Sequence, residues 1–269
     1  MTSSSDLNKI VLEGITYAKL EKHKNAISFF DKVLKQDPNH VDALYNKGVS
    51  LLKIEKKKEA MTCFEKILET QPNHVESLTN LGNLISESGQ FAKALMYYDR
   101  ALQVDPDYTP ASYNKAISTI RLERFDDAMQ CLNKVLDKEP DNISAIYYKG
   151  IVLGKLKNHE LALACLDIVL EKEPENYEAM FYKANELSEI ERHQEAITIF
   201  DTLLKQYPKN GTIIYAKARC KAGLGENNDA LVLLAQAVSY YGKTIKTWAV
   251  KDPIFDKLKE DGRFKTIVK

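Results

Sequence analysis

Apolar and polar positions alternate along this chain at two periods. Over short distances the spacing is helical. Leu44, Gly48, Leu51 and Leu52 fall on one face of a helix, the polar run Ile54-Glu55-Lys56-Lys57-Lys58 interrupts it, and Ala60, Phe64, Ile67 and Leu68 form a second stripe. Over longer distances the whole pattern recurs. Pro38, Pro72, Pro106, Pro140, Pro174 and Pro208 stand 34 residues apart. A fixed period of this size marks stacked two-helix units, each too small to bury its apolar face alone. The reading is seven copies, at 7–40, 41–74, 75–108, 109–142, 143–176, 177–210 and a degenerate 211–244. Each copy holds a helix A and then a helix B. The proline ends helix B, because it lacks an N–H and clashes with the preceding turn.

Two small positions predict how the helices meet. Position 20 of every copy is alanine, from Ala26 and Ala60 to Ala196 and Ala230. Position 8 is Gly14, Gly48, Gly82 and Gly150, with Ala116, Ala184 and Ala218 in the other copies. Glycine within a helix costs about 1 kcal/mol against alanine, so its recurrence points to a close crossing of helix A by helix B. Phe30, Phe64, Tyr98, Leu132, Leu166 and Phe200 are the large residues expected opposite.

The ends differ from the middle. Residues 1–6 read as a flexible start, with Asp6 as the N-cap of the first helix. Copy 7 has Gly242 where the proline is due. Residues 245–269 read as a helical cap over the open end of the stack. Asp252-Pro253 gives an N-cap with proline at N1, Phe255, Leu258, Phe264 and Ile267 supply an apolar set, and Trp248, the only tryptophan, is expected to join it.

Composition narrows the class. The formal net charge is zero, which argues against nucleic acid or a membrane surface as partner. The zero is uneven: residues 75–210 carry 15 Lys/Arg against 22 Asp/Glu, whereas 7–74 sum to +3 and 211–269 to +5. No apolar run approaches the roughly 18 residues of a membrane span, and MTSSSD is not the start of a secretory signal. Four cysteines form no CxxC, and Cys63, Cys131 and Cys165 share one repeat position, as small core residues would. The expectation is a reduced, cytoplasmic protein without metal or cofactor.

The segments ALYNKGVSLLK and SLTNLGNLISESGQFAKALMYYDRALQVDPDY resemble tetratricopeptide repeats over about 7–244. The ending AVKDPIFDKLKEDGRF is similar to a terminal segment of other such proteins. The resemblance implies an all-α α-solenoid, a right-handed superhelix in which helix A lines a concave groove that holds a peptide. It places positions 2, 5, 6, 9 and 13 of helix A in that groove. At position 6 stand Asn46, Asn80 and Asn114, whose amides offer both a donor and an acceptor to a peptide backbone. Tyr45, Tyr113, Tyr147, Phe181 and Tyr215 occupy position 5, with Tyr148 and Tyr182 at position 6, as binding anchors or as packing between helices. Lys53, Arg121 and Lys155 bring positive charge at position 13, interrupted by Glu87 and Glu189. The family's clamp for chaperone C-terminal carboxylates is not expected. Asn83 and Asn114 match its asparagines, but Thr79, Ser144 and Tyr148 stand where its cations belong.

Enzyme signatures fail. His159-Glu160 lacks the second histidine of a zinc-protease helix, and Gly223-Leu224-Gly225 lacks the third glycine of a dinucleotide loop. His23, His159 and His193 share a turn position. Asn142-Ile143-Ser144 and Asn210-Gly211-Thr212 read as turns rather than glycosylation sites. The expectation is a monomeric, non-catalytic scaffold for a protein or peptide ligand. A self-assembling repeat protein and an accessory subunit of an enzyme are the alternatives.

Overall fold

The computed structural model describes residues 4–269, with side chains from Asp6 onward. The expected flexible start at 1–6 falls in part outside those residues. Within them α1 (Ser4–Lys19) already includes Asp6 in its first turn, so Asp6 is not the cap. All regular structure in the described residues is helical. The chain divides into two compact units, 1–140 and 141–269.

In the first unit α1 is followed by α2 (His23–Leu34), α3 (Val41–Lys53), α4 (Lys57–Thr70), α5 (Val75–Glu87), α6 (Phe91–Val104), α7 (Thr109–Arg121) and α8 (Phe125–Lys138). Helices α1, α3, α5 and α7 are A helices, and each packs against the B helix that follows it. The close crossing is visible atom by atom. A Cβ placed on Gly14 would lie 2.5 Å from the Phe30 ring, on Gly48 2.7 Å from Phe64, and on Gly82 2.5 Å from Tyr98. All three rings are buried, as are Ala26, Ala60, Ala94 and Ala128. Glycine is therefore the clearance for an aromatic ring. In the fourth pair Ala116 stands at that position with the smaller Leu132 as the buried large residue, and in the sixth Ala184 shares a buried cluster with the Phe200 ring, so alanine also occurs beneath a ring.

The second unit contains α9 (Ile143–Lys155), α10 (His159–Lys172), α11 (Tyr177–Glu189), α12 (His193–Gln206), α13 (Gly211–Gly223) and α14 (Asn227–Lys251). A 3-10 turn (Pro253–Leu258) and α15 (Gly262–Val268) complete it. Helix α14 is broken at Gly242, the place in the seventh copy where the proline is due, whose φ of 44° and ψ of −120° leave the helical region. Beyond the break, Ile245 and Ala249 turn inward, and Phe255, Leu258 and Phe264 close over Ile214, Tyr215, Ala218 and Leu234. Asp252 caps the 3-10 turn, its carboxylate accepting from the Ile254 N–H at 3.1 Å. Trp248 is less enclosed than its neighbours. It leans on the Tyr215 ring at 5.6 Å but keeps 42 % of its surface exposed.

The A-to-B turn holds one left-handed residue at position 15 in every copy: Glu21, Glu55, Gly89, Glu123, Lys157, Glu191 and Gly225. A left-handed residue with a side chain is strained, yet five of these seven carry one. The next A helix starts on a built cap. His40 and His74 accept through Nδ1, and Asn142, Asn176 and Asn210 through Oδ1, from N–H groups of the first turn. That is the role of the two glycosylation-like asparagines.

Candidate functional site

The residues expected to bind lie on the A helices, and their surroundings divide them. In the first unit Asn46 and Asn80 are half-buried at equivalent places on α3 and α5. Each Nδ2 donates to the carbonyl four residues back, Asn46 to Asp42 at 2.8 Å and Asn80 to Glu76 at 2.9 Å. This bond fixes the amide plane. It leaves the side-chain oxygen of Asn46 as an acceptor for something outside the helix. The Asn80 amide also meets the Tyr45 hydroxyl, whose pKa burial pushes up. Asn114 holds the same place on α7 and is half-buried too.

Other first-unit candidates are committed to packing. The Tyr45 ring lies 6.0 Å from Phe64 and 5.6 Å from His74. Asn83 accepts a hydrogen bond from Tyr98 at 2.9 Å, so it fastens α5 to α6. Tyr113 is half-buried on α7. Lys53 and Arg121 are exposed at the ends of α3 and α7, whereas Glu87 is paired with Lys57 at 2.7 Å.

In the second unit rings replace amides. Tyr147 meets Tyr148 at 5.2 Å and, from α9 to α11, Tyr182 at 5.9 Å. Phe181 continues the run to Tyr182, Tyr177 and Phe200 at 6.1 to 6.4 Å. Burial drives the Tyr147 pKa well upward, with Tyr182 and Tyr148 adding to it. Tyr147 and Phe181 are thus packing residues, with Tyr148 and Tyr182 beside them. Next to Tyr182 is a cleft of about 580 Å³ that also includes Ile151, Lys155, Asn185, Glu186 and Glu189. Gly154 lies against the Glu186 carboxylate there, which a Cβ would displace. Glu186 in turn stands 2.7 Å from Nδ1 of His159, which gives that turn histidine a partner.

Two polar features escaped the sequence reading. Position-7 lysines bridge to the preceding B helix, sixteen residues back: Lys47 to Asp31 and Lys115 to Asp99 at 2.6 Å, Lys183 to Asp167 and Lys217 to Asp201 at 2.5 Å. The pairing of Lys with Asp at a constant offset was the available signal. Such half-exposed pairs set register more than stability. The second is a network in α13. Asp252 accepts from Tyr215 Oη at 2.9 Å and Arg219 Nε at 2.7 Å, and Arg219 also reaches Glu189 at 3.1 Å. Nothing in the periodicity announces it, because Asp252 lies outside the repeat.

No group of His, Cys, Asp and Glu among the described residues could hold a metal ion. Burial raises the pKa of all four free thiols, so none is an activated nucleophile. No described helix is long and apolar enough to cross a membrane.

Stacked antiparallel helix pairs with an alanine and glycine seam define an all-α tandem-repeat protein of the α-solenoid class. Sequence models of the tetratricopeptide repeat match residues 86–151 and 187–251, 63–96, and 147–211. The chain belongs to the tetratricopeptide repeat family, whose members generally mediate protein–protein interactions and are typically non-catalytic. Residues 1–67 also match the family described as anaphase-promoting complex, cyclosome, subunit 3. No curated protein matches the chain. Among solved structures, YrrB, described as a TPR protein with an unusual peptide-binding site, is 26 % identical with a TM-score of 0.58. The match covers 70 % of this chain and 98 % of YrrB. PilF of Pseudomonas aeruginosa is 18 % identical, TM-score 0.66, over 75 % of this chain and 92 % of its own. A tetratricopeptide repeat protein of Parabacteroides merdae is 16 % identical, TM-score 0.63, over 98 % and 99 %. The last two are likenesses of fold alone.

Proposed function

We propose that this chain is a non-catalytic scaffold that holds a peptide segment of a partner protein along its A helices. The observation that carries the reading is the placement of Asn46, Asn80 and Asn114. They are half-buried and one repeat apart, and the first two are fixed by their own helix. Backbone N–H groups of an extended peptide need such acceptors once they leave water. The likeness to YrrB, whose description names a peptide-binding site, supports the same class of ligand. In the first unit Tyr113 is the anchor proposed to flank the peptide, with Lys53 and Arg121 steering it; Tyr148 and Tyr182, with Lys155, are proposed as a contact surface of the second unit by itself. The proposed organisation is seven copies over 7–244 with 245–269 as a cap.

The test is a selection from a random peptide library on the whole protein, followed by calorimetry. Selected peptides are expected to bind about tenfold or more weakly to the triple variant Asn46→Ala, Asn80→Ala, Asn114→Ala, with unchanged circular dichroism. Equal affinity for both proteins would remove the amides from the site.

A further inference from the structure

Residues 211–269 contain eleven lysines and arginines. Six of them are spent in ion pairs: Lys217, Arg219, Lys221, Lys259, Arg263 and Lys265. Of the five that make none, four converge. Lys243, Lys246 and Lys251 from α14, with Lys269 beyond α15, line one open cleft of about 650 Å³. The rest of its lining is Gly242, Thr247, Val250 and Val268, without a single carboxylate side chain.

The break at Gly242 produces this arrangement. It redirects the end of α14 so that Ile245 and Ala249 enter the core. At 100° per residue, Lys243, Lys246, Thr247 and Val250 then share the opposite face. Val250 keeps 49 % of its surface exposed there, and Val268 flanks it from α15. None of these four lysines is in an ion pair among the described residues, and like charges lining one cleft disfavour one another. Everywhere else in this segment except at Lys257 a cation has its carboxylate.

We infer that this cleft is a docking site for an acidic segment of a partner polypeptide that carries an aliphatic side chain. The carboxylates neutralise the four lysines, and the aliphatic group covers Val250 and Val268. The site is separate from the A-helix surface proposed above, since it lies on α14 and α15. Two other polyanions fit less well. The cleft has no arginine to fork onto phosphate and no ring on which a base stacks. Its valines line a recess, whereas membrane-surface helices bury a continuous apolar face flanked by protruding aromatics.

The probe is a fluorescein-labelled helical peptide of glutamates with leucines at i, i+3 and i+7, and its lysine-for-glutamate counterpart, read by anisotropy on the whole protein. The acidic peptide is expected to bind, to weaken as salt rises, and to lose about tenfold or more affinity to Lys243→Glu/Lys246→Glu. Val250→Ser is expected to weaken binding while leaving the salt dependence unchanged. Matching melting curves show that these surface variants remain folded. The inference is overturned if the acidic peptide does not bind, or if the charge-reversed variant binds it equally. It is also overturned if phosphatidylserine vesicles, a single-stranded oligonucleotide or a second copy of the chain is held more tightly. The triple asparagine variant should bind this probe as the natural chain does, so failure here is distinguishable from failure of the A-helix reading.

Discussion

In residues 4–140 the exposed side of the A helices offers amides, and the space beneath them is filled by rings set against glycine. In residues 141–269 rings gather on the A helices, at Tyr147, Tyr148, Phe181 and Tyr182, while the seam beneath has Leu166 in one pair and Phe200 in the next. Gly48 and Gly82 clear Phe64 and Tyr98, but Gly150 faces Leu166 at 3.3 Å and Cys165 Cβ at 3.2 Å. One repeat pattern thus supports two chemistries. The crossing fixes the backbone, and positions 5, 6 and 9 vary over it. The second unit also carries a four-membered network, Tyr215–Asp252–Arg219–Glu189, where the A helices of the first carry separate pairs such as Lys47–Asp31 and Lys115–Asp99.

That network is where the comparison breaks most sharply. Asp252→Ala removes the partner of a half-buried guanidinium and a half-buried phenol, and also the cap of the 3-10 turn. Arg219 keeps Glu189, but the charge-assisted hydrogen bonds of Asp252 to Arg219 and Tyr215 are lost, at a cost of about 3 kcal/mol, so α13, α14 and α15 should open together. Hydrogen exchange read by mass spectrometry is expected to rise in residues 211–269 while 4–140 stays protected. A rise confined to 252–258 would mean that Asp252 is only a cap.

The seam gives the next largest effect, and its sign should differ between the units. Gly82→Ala drives a methyl to 2.5 Å from the Tyr98 ring and is expected to destabilise by about 2 kcal/mol through overpacking. Gly150→Ala meets its neighbours at 3.2 Å or more, so a shift of a few tenths of an ångström accommodates it. The helix propensity of alanine, about 1 kcal/mol better than glycine, should then leave that variant neutral or slightly stabilised. Urea midpoints of the two variants check this. Equal losses would mean that the glycines serve something other than ring clearance.

These cases also show what was readable. The crossing was legible because clearance needs the same small residue in copy after copy: Gly14, Gly48 and Gly82 lie under Phe30, Phe64 and Tyr98. Asn46 and Asn80 were legible as candidates for the same reason. The orientation of their amides was not, because it depends on a bond to a carbonyl one turn back. Tyr147 could be assigned to packing only once its neighbours Tyr148 and Tyr182 had positions. Asp252 and most of the α14 cleft, from Lys246 onward, lie outside the 34-residue period, so no copy exists against which to compare them.

A pH scan sharpens the contrast in ring placement. Burial raises the pKa of Tyr98 from 10.0 to about 12 in the first unit, and pushes Tyr147 and Tyr215 well above 10 in the second. For these phenols the folded state holds the proton longer than the unfolded chain. Their contribution is therefore complete below pH 10 and is lost as pH rises through the folded values. A tenfold difference in proton affinity between the folded and unfolded chain is worth about 1.4 kcal/mol. Tyr147, which is half-buried, realises less than that, because solvent screens it. Tyr147→Phe should remove part of the alkaline loss in the second unit, and leave stability near pH 7 changed by under about 1 kcal/mol. Phenolate absorbance recorded alongside far-ultraviolet ellipticity is the measurement. Ionisation of all tyrosines near pH 10 without unfolding would contradict it.

The smallest effect tests what the units share. Glu55 sits at φ 60° and Gly89 at φ 81° in equivalent turns, and a Cβ on Gly89 would touch nothing within 4 Å. Strain at Glu55 is therefore a matter of backbone alone. Glycine relieves a left-handed cost of roughly 1–2 kcal/mol, and loses roughly 0.5–1 kcal/mol because its unfolded chain is freer. Glu55→Gly should thus stabilise by about 0.5 kcal/mol, and Gly89→Ala should destabilise by a similar amount. Lys157→Gly in the second unit should match Glu55→Gly, because its φ of 61° is nearly the same. If the two glycine variants differ, the turn senses its own unit, and the repeat backbone is less uniform than its dihedral angles imply.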